Sequence, residues 1–169
     1  KERALATGIF NAGTNVGAAY LYEEAPVVTV APTTLAVSET GPTSASFSVS
    51  LNQAPSANVT VSLSFGPDIE VNAGSGFGAS PQTLTLTPAN ATSGVSVQVR
   101  AVDDAFAESD PEAVTLLTSA TTSASTRFNG LAVDDITVNV TDNDAQGVYI
   151  TSSSGNVVSE DGITDTYTV

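Results

Sequence analysis

The sequence predicts an all-β protein, a two-sheet Greek-key β-sandwich of about seven strands, followed by the opening strands of a second repeat. Three observations predict it. Apolar and polar residues alternate at period two through most of the chain, the pattern of strands with one buried and one wet face. Gly- and Pro-containing breakers cut this alternation into short runs. Ser and Thr make up about a quarter of the chain, and short, polar, often β-branched side chains favour strands and turns over helices.

In chain order, Val28 and Val30 open the alternation, and Leu35 and Val37 form the next run. Phe47, Val49 and Leu51 follow, then Val59, Val61, Leu63 and Phe65, then Leu84 and Leu86. Val95, Val97, Val99 and Ala101 give the cleanest strand, with Ser96, Gln98 and Arg100 on its other face. Val114, Leu116 and Leu117 read as a further strand, and Ile136, Val138 and Val140 as the last. Gly41-Pro42, Ala54-Pro55, Gly66-Pro67, the stretch Gly74 to Gly78, Pro88, Pro111 and Asn129-Gly130 separate them.

Three segments result: an N-terminal tail or linker over 1–25, the sandwich over 26–145, and the start of a second repeat over 146–169. The tail is turn-rich, and only Ala19-Tyr20-Leu21-Tyr22 reads as a strand. Gly17 to Tyr22 resembles the closing strand of an FG-GAP propeller repeat, whereas Glu2 to Ala18 resembles a loop of major-facilitator sugar-acid transporters. The C-terminus repeats the start of the sandwich. Val28-Thr29-Val30 and Val37-Ser38-Glu39 return as Val148-Tyr149-Ile150 and Val158-Ser159-Glu160, and Ser46-Phe47-Ser48-Val49 as Thr166-Tyr167-Thr168-Val169. A lone hairpin cannot bury its apolar face, so the chain reads as a piece of a longer repeat protein.

Composition excludes several function classes. With no Cys and no His, thiol nucleophiles, Ser-His-Asp relays, structural zinc sites and disulfides are out of reach. Four Lys and Arg against 18 Asp and Glu give a net charge of −14, which cannot supply the cationic footprint that nucleic acid or an anionic membrane surface requires. No apolar run approaches the ~18 residues of a spanning helix, and an enzyme is not expected. Strand tyrosines such as Tyr149 and Tyr167 read as packing residues sooner than as a glycan platform.

The carboxylates cluster at strand ends. Glu39 follows an early strand, Asp68 and Glu70 lie in the Gly-rich middle, and Asp103-Asp104 end the cleanest strand. Glu108, Asp110 and Glu112 occupy the turn beyond, and Asp142-Asn143-Asp144 close the last strand. A sandwich can bring such ends together, where carboxylates repel unless a cation joins them. An all-oxygen donor set suits Ca²⁺. From spacing alone, a calcium site and plain solvated loops stand side by side.

Val37-Ser38-Glu39, Asn72-Ala73-Gly74-Ser75, Val99 to Glu108 and Val138 to Asp144, in that order, resemble a Calx-β domain of the tandem type in large bacterial surface proteins. Arg127 to Asp135 is similar to the same arrays. The resemblance implies an immunoglobulin-like sandwich with Ca²⁺ at one end. By position its ligands would be Glu39, Asp103, Asp104, Glu108, Asp142 and Asp144, with Asp110 as an outer candidate ligand and Glu160 as the second repeat's counterpart of Glu39. One departure is Gly76, which stands where the family commonly has Asp; this implies one or two structural ions in place of a larger cluster.

The expectation is a non-enzymatic, extracellular or cell-surface module: a Ca²⁺-stiffened repeat in a stalk or adhesin, whose partners are neighbouring repeats. The alternatives are a filament subunit joined to identical subunits by strand addition, and a module binding surface glycans or proteins.

Overall fold

The computed structural model describes residues 3–7, 19–41, 43–147, 151–152, 160 and 167–168. Strand β1 (Arg3–Thr7) pairs antiparallel with β2 (Ala19–Glu23) as a separate two-stranded sheet. Only the second of these is legible as a strand, because Arg-Ala-Leu-Ala-Thr carries neither a period-two pattern nor β-branched residues before Thr7.

The sandwich comprises β3 (Val28–Ala31), β4 (Thr34–Ser38), β5 (Ser44–Leu51), β6 (Val59–Ser64) and β7 (Ile69–Asn72), then β8 (Gln82–Leu86), β9 (Val95–Ala101), β10 (Glu112–Thr118), β11 (Thr122–Ser123) and β12 (Ile136–Thr141). One sheet runs β3-β5-β9-β7. The other carries β8, β6, β10, β12 and β4 in spatial order, with β11 continuing β10 alongside β6. Successive strands from β3 to β10 alternate between the sheets, whereas β10, β11 and β12 stay in one, so the architecture is an all-β sandwich with crossed connections. Pro32 lies between β3 and β4, which belong to different sheets; it has no N–H with which to continue a ladder.

The predicted alternation fills the core. Phe47, Val49 and Leu51 of β5 with Val97 and Val99 of β9 line one sheet, and Val59, Val61, Leu63, Leu84, Leu86, Leu116, Ile136 and Val138 line the other, all at most 3% exposed. Two departures are local. Ile69 and Val71, beside Asp68 and Glu70 in the Gly-rich middle and placed in none of the expected strands, are 1% and 0% exposed and form β7 on the edge of β9. Leu117, read on one strand with Val114 and Leu116, lies on β10 but is 54% exposed, because its neighbour Leu116 takes the inward position.

Entry and exit lie at opposite ends of the sandwich. β3 begins beside the end of β5 (Val28 opposite Leu51), whereas β12 runs parallel to β4 and ends with Thr141 opposite Ser38. Beyond it, β13 (Thr151–Ser152) pairs with β14 (Tyr167–Thr168). The pair Thr151–Thr168 is the pair Ala31–Ser48 with both partners displaced by 120 residues (151 − 31 and 168 − 48). The other repeat residues, 148–150, 153–159, 161–166 and 169, lie outside the described residues.

Candidate metal centre

The acidic end is built by extending two core rows by one step. Along β4, Leu35 and Val37 point inward, and the next inward position is Glu39, only 4% exposed. Along β12, Ile136, Val138 and Val140 point inward, and the next such position is Asp142. Parallel pairing of the two strands sets these carboxylates side by side, and the Glu39 N–H donates to the Thr141 carbonyl at 3.1 Å. Asp144 is turned back onto them, its N–H donating to Asp142 Oδ1 at 2.7 Å in an Asx turn. Glu39, Asp142 and Asp144 thereby offer one oxygen each within 4.8 Å of one another.

A second triad adjoins the first. Asp68, Glu108 and Glu112 also offer oxygens within 4.8 Å of one another. Asp68 sits in the turn before β7, where its carbonyl accepts the Val102 N–H at 2.9 Å, and Glu112 opens β10 opposite Val140. The Glu108 N–H donates to Asp142 Oδ2 at 2.6 Å, which joins the two triads.

Electrostatically this is a concentration of uncompensated charge. Glu39 Oε2, Asp144 Oδ2, Glu108 Oε2 and Glu112 Oε2 are buried and have no hydrogen-bond partner among the described residues. The salt bridges among those residues, Arg100 to Glu70 and Arg127 to Glu23, touch none of the six carboxylates. Burial is the main cause raising the Glu39 carboxyl above its ordinary range; the Asn143 N–H opposes it, and the charges of Asp142, Asp104 and Asp144 add to it. Glu108 is raised by burial and by Glu112, Asp104, Asp68 and Glu39. Asp144 is raised by burial and by Asp142, Asp103 and Asp104. Asp142 alone is lowered, because the N–H groups of Asp144 and Glu108 hold its charged form.

The remaining sequence candidates flank the triads. Exposed Asp103 accepts the Asn143 side-chain amide at 3.1 Å, which ties the end of β9 to the chain leaving β12. Asp104 is exposed and caps its own turn by accepting the Phe106 N–H at 2.7 Å. Asp110 is exposed and belongs to neither triad. Asp68 and Glu112, legible only as acidic residues of a loop and a turn, complete the second triad; the pairing of β10 with β12 that sets Glu112 opposite Val140 has no local signal in the sequence. Between Glu39 and Asp103 lies an open depression of about 410 Å³, lined also by Gly41, Glu70, Arg100, Ala101 and Val102.

The Gly76 departure has a local cause. Asn72 Oδ1 accepts the N–H groups of both Gly74 and Gly76 at 2.9 Å, and Gly76 has φ +100°, a region that side-chain-bearing residues rarely adopt. Phe77 then lies under Arg100, with the guanidinium 4.4 Å from the ring centre.

Compared with protein-family models the chain matches none, and a search of curated proteins finds no relative. No helix among the described residues is long and apolar enough to cross a membrane.

Proposed function

We propose that the sandwich is a Ca²⁺-stiffened, non-enzymatic module of an extracellular repeat protein of the Calx-β type, acting as a spacer in a stalk or adhesin. The observation that carries this reading is Glu39, a carboxylate 4% exposed whose Oε2 has no hydrogen-bond partner among the described residues and which lies beside Asp142 and Asp144. A buried carboxylate with one oxygen unsatisfied and two other carboxylates beside it is costly unless a cation joins them. The donors fit a hard ion: all are oxygens, and a 4.8 Å spread matches ligands on opposite sides of Ca²⁺ at about 2.3–2.6 Å each. Asp68, Glu108 and Glu112 offer a second, adjoining set.

The mechanism is mechanical. Asp142 and Asp144 lie on the segment leaving the last strand, so an ion held with Glu39 fixes that segment to β4. Entry and exit at opposite ends suit modules strung in line. Calorimetry of the full chain with millimolar Ca²⁺, with Mg²⁺ and with excess chelator tests the reading. An ion at 100 times its Kd that binds only the folded state adds about 2.7 kcal/mol. A Ca²⁺-specific rise in Tm is expected; equal Tm in all three conditions refutes the ion site.

A further inference from the structure

The end of the sandwich opposite the carboxylates grips the incoming chain through its backbone. The Asn52 side chain accepts the Val27 N–H at 2.8 Å and donates to the Ala25 carbonyl at 2.9 Å, and its own N–H donates to the Val27 carbonyl at 3.2 Å. Gln53 Nε2 and an Arg127 guanidinium nitrogen both donate to the Glu24 carbonyl, at 2.9 and 2.8 Å. Arg127 also pairs with the Glu23 carboxylate at 3.4 Å. Apart from that exposed pair, every contact falls on a main-chain group and is indifferent to the side chain being held.

The register of β13–β14 repeats that of β3–β5 at a displacement of 120 residues. The same displacement sets Asn143, Asp144, Ala145, Gln146 and Gly147 in the places of Glu23, Glu24, Ala25, Pro26 and Val27. The gripped groups, the carbonyls of 24 and 25 and both groups of 27, all exist at 144, 145 and 147.

We propose that Asn52, Gln53 and Arg127 form a socket for the segment that leaves the last strand of a preceding sandwich of the same kind, with Glu23–Val27 holding the place of such a segment. This rests on the repeat reading above but not on the ion. Asp144 then serves two sandwiches: its carboxylate belongs to the acidic end of one, and its carbonyl to the base of the next. The junction is a short strap held on both sides, where a free five-residue linker would be a hinge.

The test is a chain in which residues 1–145 are followed by 26–169, so that the junction reads Asn143-Asp144-Ala145-Pro26-Val27. Small-angle scattering at saturating Ca²⁺ is compared with a variant carrying Asn52→Ala, Gln53→Ala and Arg127→Ala in the second copy. The expected result is an extended particle with two separated maxima in its distance distribution, lost in the variant. Identical curves, or a parent already flexible, overturn the socket. Should the triple variant unfold, hydrogen exchange at the Val27 amide of the original chain decides: protection lost in Asn52→Ala supports the grip, and an unprotected amide in the parent refutes it. The calorimetric Ca²⁺ shift is scored separately, so a failed ion site and a failed socket give different patterns.

Discussion

Glu39 occupies a position that alternation along β4 reserves for an apolar residue, and its carboxylate is half of the argument for an ion. Glu39→Gln removes the charge and keeps the shape. With chelator present the variant is expected to melt above the parent, because repulsion with Asp142, Asp104 and Asp144 is relieved. With Ca²⁺ its gain shrinks: a tenfold loss of affinity cuts a stabilisation of about 2.7 kcal/mol to about 1.4 kcal/mol at the same ion concentration. Calorimetry of the two proteins checks both halves. The pH dependence follows from the shifts. Glu39, Glu108 and Asp144 have folded pKa values above the unfolded ones, so the folded state binds more protons between those limits. In chelator, stability therefore rises as pH falls from neutral through the raised values towards the unfolded values near 4.5 and 3.8. The lowered Asp142 contributes with the opposite sign, and its stabilisation is lost below the unfolded value of 3.8. Ca²⁺ needs ionised ligands, so its added stabilisation is largest at neutral pH and fades over the same descent. A Tm series between neutral pH and pH 4, with and without the ion, reads both slopes. Gly76→Asp is expected to destabilise by about 1–2 kcal/mol in urea unfolding, since no atom crowds the new Cβ but φ of +100° opposes it.

Among the elements, the connection from β10 to β12 shows how an irregular segment is held. Thr121 is 2% exposed; its hydroxyl donates to the Phe128 carbonyl at 2.6 Å and accepts the Leu131 N–H at 2.9 Å. This latch folds the short 3₁₀ turn Thr126–Phe128 back so that Phe128 reaches the core at 3% exposure. Thr121→Val keeps the shape and strands both backbone groups, a loss expected at about 2–4 kcal/mol in urea unfolding. Arg127 is carried on the same turn, so the latch also positions one side of the proposed socket. Parallel pairing of β4 with β12 does the corresponding work at the acidic end.

For the whole molecule, a net charge of −14 adds diffuse repulsion to the local cluster. Raising NaCl is expected to raise Tm in chelator, and by a smaller increment once Ca²⁺ is bound, because salt screens exposed charges while an ion neutralises the buried ones. Differential scanning at two salt concentrations, with and without Ca²⁺, checks it; equal increments place the repulsion in the solvated loops. The chain enters the sandwich at one end and leaves at the other, so in the proposed array an acidic end and a gripping base would meet at each junction.

Strand identity was legible in the residues because period-two alternation is local: Phe47, Val49, Val97 and Val99 declare their inward face from their immediate neighbours. The acidic residues were legible as strand ends for the same reason. Ile69 and Val71 were obscured by the Gly-rich stretch after them, and only the edge of β9 makes them a strand. Which carboxylates meet was a tertiary decision. Glu39 and Asp142 are neighbours because β4 and β12 pair in parallel across 103 residues, Asp68 and Glu112 join Glu108 through strands of different sheets, and exposed Asp110 stays apart. Alternation fixes the face of each residue and carries no information about which distant strand lies alongside; long-range pairing supplies that, and with it the site.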